Sequence, residues 1–178
     1  MQFVSLISEG ILNGFFLVTI LLLVCRITLP KYRQIINRLI LFSNTLLLVG
    51  STVYLFVAVQ QFIVQITASD EYEAYSMVNR ITGPYWLAYW GALLFNGFLP
   101  QLMWIRRLRR SLGASLVLAP FLLVDYWLPL LVSSLHRDYL PSTWSMMQPN
   151  YYGLAIAGIT YLTIFLLLFS MMQLIKKS

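Results

Sequence analysis

The sequence predicts an all-α polytopic membrane protein: a single transmembrane domain over residues 1–178, built as a bundle of five transmembrane helices. Three observations predict it. Hydrophobic residues make up 60% of the 178 and charged residues only 10%, against about a quarter charged in a soluble domain. Mean hydropathy is +0.77, and several apolar runs reach the ~20 residues that cross a hydrocarbon core of roughly 30 Å. The basic residues, finally, are concentrated in alternate connections between those runs and in the tail.

The spans fall at about 4–25, 39–66, 84–105, 113–135 and 151–174. The N-terminal run MQFVSLISEGILNGFF has no basic start and carries Glu9, so it is expected to stay as the first span rather than be cleaved as a signal peptide. Between the first two spans stand Arg26, Lys31, Arg33 and Arg38; between the third and fourth stands Arg106-Arg107-Leu108-Arg109-Arg110; the chain closes on Lys176-Lys177. Ten of the twelve Lys and Arg thus share one side of a five-span bundle. The positive-inside rule puts that side in the cytoplasm, with the N-terminus outside and the C-terminus inside. Five of the six acids, Glu9, Asp70, Glu71, Glu73 and Asp138, fall on the outer side. The net charge of +6 is therefore a topology signal. Beside a span, RRLRR reads as an anchor for lipid headgroups and not as a nucleic-acid site. The outer connection 67–83 contains DEYEAYSMVNR and is expected to extend the second span as an interfacial helix.

Polar residues inside the spans are the candidates for chemistry, because each is costly in lipid unless it faces protein or water. Asp125 falls near the middle of the fourth span, and Asn96 at similar depth in the third. Asn13, Ser51, Thr52, Thr160 and Thr163 lie near the same level, a polar layer if they point inward. Pro100 and Pro129 each follow Asn96 and Asp125 by four residues. A proline cannot bond the carbonyl four residues back and tends to kink the helix there, so the carbonyls of Asn96 and Asp125 are freed. Proton handling and interhelical hydrogen bonding both fit this pattern.

The outer face carries two further groups. Pro84-Tyr85-Trp86-Leu87-Ala88-Tyr89-Trp90 opens the third span, suiting an aromatic belt or the lining of a quinone or headgroup pocket. The fourth connection, SLHRDYLPSTW, contains His136-Arg137-Asp138. The triplet matches a kinase catalytic loop, but no Gly-rich loop, strand lysine or Asp-Phe-Gly accompanies it. One cysteine, Cys25, and one histidine leave no zinc cluster and no haem held by two histidines of this chain. No metal site and no cofactor bound by this chain alone is expected.

Two segments carry a resemblance. ITGPYWLAYWGALLFNGFLPQLMWIRRLRRS has a Pro-Tyr-Trp, a mid-helix Asn, Pro-Gln-Leu-x-Trp and terminal arginines; SSLHRDYLPSTWSMMQPNYYG follows downstream. Together they resemble the C-terminal bundle of the membrane subunits of alternative complex III, the quinol:cytochrome c oxidoreductase, in the polysulfide-reductase or NrfD-like family. The likeness covers residues 81–152 and extends through 175, while the first two spans match only in hydropathy. It implies an accessory membrane subunit of a respiratory electron-transfer complex in a bacterial inner membrane. Its partners would be other membrane subunits, lipids and an extrinsic outer-face iron–sulfur or cytochrome c subunit, with quinone or quinol at an interface and no nucleic acid. Family members are longer, with two helical bundles, so this chain corresponds to one. They carry a Glu-Arg pair where Tyr126 and Trp127 stand here, leaving Asp125 to take the acid's place. His136, Arg137, Asp138, Tyr85, Trp86 and Tyr89 become candidates for partner docking or a quinol site. A stand-alone transporter or scaffold is the alternative, although an odd span number and the lack of matching halves speak against a transporter.

Overall fold

A computed structural model describes residues 2–67, 71–83, 86–124, 127–128, 131 and 151–177. Every regular element among them is helical. Helix α1, Gln2–Thr28, meets α2, Arg33–Ile66, through a 3-10 turn at Pro30–Tyr32. Pro30 at the first helical position fits that turn, since its missing N–H would have no partner there. Helix α3 spans Glu71–Thr82 and α4 Trp86–Ala92. The latter continues as a π-helix over Leu93–Phe98 and a 3-10 helix over Leu99–Trp104. Helices α5, Arg106–Arg109, and α6, Leu112–Phe121, follow, and α7 covers Tyr151–Lys177.

Helix α1 is the centre of the packing, in contact with α2, α6 and α7. Its inward stripe is Ile11, Leu12, Phe15, Val18, Thr19 and Leu22, all buried, at the spacing of one helical face. Ile36, Ile40, Leu46, Leu47 and Leu48 of α2 meet it, with Leu118 and Ala119 of α6 and Tyr161 and Phe165 of α7. The α1–α7 contact is close because Gly14 lies against the Ala157 carbonyl and Tyr161. Small residues that let helix backbones approach are the usual basis of helix association in lipid.

Two helices, Gly10–Thr28 and Pro30–Ile66, are long and apolar enough to cross a membrane. Beyond Ser51, α2 has no fully buried side chain, and Phe56, Val59, Ile63 and Val64 are exposed. A soluble protein hides such a helix in its core; here the apolar face is outward.

The structure corrects three expectations about the elements. The outer connection does contain a helix, Glu71–Thr82, but α3 is separate from α2: Thr67 ends α2, its N–H and hydroxyl both donating to the Ile63 carbonyl. Helix α3 then packs back onto α2 and α4. The stretch expected as the third span is helical over 86–104, yet Pro100 does not simply kink it. The pitch loosens one turn earlier, where the Leu99 N–H donates to the Leu94 carbonyl five residues back, and tightens after the proline. The fourth span, expected unbroken over 113–135, is interrupted among the described residues: α6 runs for ten residues, about 15 Å, and helical backbone returns at 124, 127–128 and 131. Pro120 sits inside α6, and a turn at Leu122–Leu123 follows. Beyond it, Val124 and Leu128 are buried against Ala92, Phe95 and Trp127.

Candidate functional site

A polar pocket forms where α2, α3 and α4 meet, and it contains Tyr89. Tyr54, Gln61 and Gln65 line it from α2, Met77 and Arg80 from α3, and Ser8 from α1. Tyr54, Ala58, Gln61 and Gln65 follow one another at three- and four-residue steps, which puts them on one face of α2. Helix α3 is positioned by its single well-buried residue, Met77, and by the tight connection to α4. There Thr82 Oγ1 donates to the Val78 carbonyl at 2.9 Å, the Gly83 N–H to Asn79 at 2.8 Å, and Trp90 Nε1 to Ile81 at 3.2 Å. An amphipathic α3 so tied brings the Arg80 cation beside the phenol of Tyr89. The pocket is lined by two phenols, a hydroxyl, two amides and a guanidinium, a set that holds a neutral ring with oxygen substituents or an anionic group. Its volume is about 120 Å³.

Asn96 is 1% exposed and lies in the π segment, three residues past Leu93 of the pocket wall. Nearby, Gln101 Nε2 donates to Ser51 Oγ at 2.9 Å and reaches the Gly97 carbonyl at 3.3 Å, while Trp104 Nε1 donates to Gln101 Oε1 at 3.0 Å. The side chain of Gln101 thus occupies one of the carbonyls that the irregular helix leaves over, and ties α4 to α2. Of the expected polar layer, Ser51 is buried in this contact, whereas Thr163 is exposed and bonds back to Ile159. Asn13 Oδ1 is buried without a hydrogen-bond partner among the described residues.

A second polar cluster sits at the other end of α2. Asn44 is fully buried; its Nδ2 donates to the Arg109 carbonyl at 2.8 Å and its Oδ1 accepts from Ser115 Oγ at 2.8 Å. Adjacent Ser43 Oγ lies 2.7 Å from the Tyr161 hydroxyl, which donates to the Ser43 carbonyl at 3.1 Å. Ser111 caps α6 by accepting from the Ala114 N–H. This cluster holds α6, α7 and the arginine turn to one point of α2. It also brings the connection after α1 and the connection before α6, the two arginine-bearing turns, to one end of the molecule.

Among the sequence candidates, then, Tyr89 joins a pocket, Trp86 is about half exposed, and Asn96 is buried apart from both. Tyr85, Asp125, His136, Arg137 and Asp138 lie outside the described residues. Sequence reasoning missed Arg80, Gln61 and Gln65, and it missed Asn44. The glutamine stripe on α2 and the Ser43-Asn44-Thr45 triplet inside an apolar run were the available signals. No protein-family model matches the chain, and no curated protein is detectably similar to it.

Proposed function

We propose that this chain is a multi-pass subunit of the bacterial inner membrane, part of a multisubunit quinol-oxidising electron-transfer complex related to alternative complex III. It crosses five times, over the ranges given above, with the N-terminus outside and the C-terminus in the cytoplasm. Its role is mainly structural: it packs against other membrane subunits and lipid, and lends one wall to a quinol site on the outer side. Proton handling through Asp125 and Asn96 accompanies that role, and the His136-Arg137-Asp138 connection receives the extrinsic iron–sulfur or cytochrome c subunit.

The membrane setting is supported by the outward apolar face of α2 and by the gathering of two basic turns at one end. The observation that carries the quinol share is the size and chemistry of the Tyr89–Arg80 pocket. Small-molecule sites usually enclose at least ~300 Å³, so a pocket of about 120 Å³ cannot enclose a quinol by itself. Its polar set nevertheless suits the ring oxygens of one. A site whose remaining walls come from a neighbouring chain reconciles the two, and it fits a chain that resembles one bundle of a two-bundle family.

Purification from native membranes in mild detergent, with an absorption spectrum and mass spectrometry of the co-purifying chains, tests the proposal. The expected result is a coloured complex containing haem- or iron–sulfur-bearing partners. A stable, colourless protein without redox partners overturns it and favours the stand-alone transporter or scaffold.

A further inference from the structure

The end of the molecule opposite the quinol pocket holds a larger cleft of about 560 Å³, within the usual range for a ligand site. Three guanidinium groups from three different segments line it: Arg26 at the end of α1, Arg38 near the start of α2, and Arg110 before α6. Asn37 and Ser111 add neutral polar groups, and the opening turn of α6 supplies Leu112 and Gly113. Arg106 and Arg107, from the same basic run, are exposed and take no part in the lining. The run RRLRR therefore contributes one arginine to the cleft, and the rest of its charge comes from residues far away in sequence.

Among the described residues, no acidic side chain lines the cleft. The chain's only acids are Glu9, Asp70, Glu71, Glu73, Asp125 and Asp138. Glu9 lies seventeen residues from Arg26 along α1, about 25 Å at 1.5 Å per residue. Glu71 and Glu73 belong to α3, beyond the far end of α2. Three arginines lining one cleft with no acid among the lining residues suit an external anion, and the planar donor pairs of a guanidinium match a phosphate best. Ile27, Leu29 and Ile35 stand exposed on the flanking turn, so an anion seated among the arginines has apolar surface beside it.

We infer that this cleft seats the phosphate of an anionic phospholipid headgroup, with the acyl chains lying against the neighbouring apolar surface. The inference rests on the membrane reading above. A soluble phosphoester shares the phosphate chemistry but has no use for the apolar rim. Basic pockets among helices on the cytoplasmic side are a known setting for such headgroups.

The test uses the full chain in mild detergent, titrated with fluorescent phosphatidylglycerol or phosphatidylcholine, with glycerol phosphate as soluble competitor. At about 1 kcal/mol per arginine near the headgroup layer, the R26Q/R38Q/R110Q variant should lose on the order of 100-fold in phosphatidylglycerol affinity. R106Q/R107Q should keep wild-type affinity, and glycerol phosphate should not displace the lipid. Thermal unfolding of both variants checks that they fold; single substitutions of Arg26, Arg38 and Arg110 replace the triple variant if it does not. Equal affinity for the two lipids, or an equal loss in R106Q/R107Q, overturns the site. Displacement by glycerol phosphate without lipid preference assigns the cleft to a soluble phosphoester and overturns the lipid source. Alkaline extraction of native membranes separates this failure from the other: a chain that leaves the membrane fraction refutes the membrane reading itself.

Discussion

The two ends of α2 share one helix and similar hydropathy but differ in how they are finished. At the Asn44 end, both atoms of a buried amide are bonded within the chain, Ser43 and Tyr161 are paired, and Ser111 caps α6. At the Gln65 end, α2 has no buried side chain beyond Ser51, α3 folds back over it with Met77 buried, and Gln61 and Gln65 line a small pocket. The difference teaches where each end looks for partners. Polar groups in or near lipid must be satisfied by something. The Asn44 end satisfies them internally and so fixes the fold. The Gln65 end leaves them presented, and so has something to offer another molecule.

Four substitutions break or sharpen this contrast. The largest effect is expected from Gly14→Val, because a Cβ there would stand 2.5 Å from the Ala157 carbonyl oxygen, and backbone cannot yield as a side-chain tip can. The α1–α7 contact should open at a cost of about 3 kcal/mol or more, read as a fall in Tm in detergent. A tolerated valine would mean that the shared core is not organised around this approach. Next comes Asn44→Ala, which strands the Arg109 carbonyl and removes a partner of Ser115; about 1–3 kcal/mol of stability should be lost. No change in Tm would show the Asn44 end to be no better fixed than the other. The smallest effect on stability, within about 0.5 kcal/mol, is expected for Arg80→Gln and Tyr89→Phe. These should instead slow quinol oxidation in the intact complex while its subunit composition stays the same. Unchanged turnover would remove the pocket from the quinol reading.

Much of the helix layout was legible because apolar run length depends on local composition: the predicted end of the second span, residue 66, is the observed end of α2. The breaks were harder. Thr67 separates α2 from α3 by satisfying the last turn itself, which no hydropathy pattern reveals. Pro120 interrupts the fourth span before Pro129 is reached, and a proline inside an apolar run does not announce whether its helix bends or ends. The Tyr89 pocket was half visible: its aromatic wall and the glutamine stripe are written along single helices. Arg80 was not, because its place depends on α3 folding back over α2. The arginine cleft shows the same limit. The charge count marked its side of the bundle, but only the packing selects Arg26, Arg38 and Arg110 from ten candidates.

The π segment that continues α4 has a consequence for how the Tyr89 pocket is inherited. A bond that spans five residues instead of four leaves room for one residue more than a regular helix holds. Everything before Leu93 is therefore turned by about 100° from where α-helical counting back from Gln101 would put it. Tyr89 faces α2 with that offset in place. Loss of a single residue between 93 and 98 would restore an ordinary helix and swing the aromatic end away from Arg80, although every pocket residue would still be encoded. Comparisons between this chain and its relatives should therefore weigh the number of residues between Tyr89 and Gln101 as heavily as their identity.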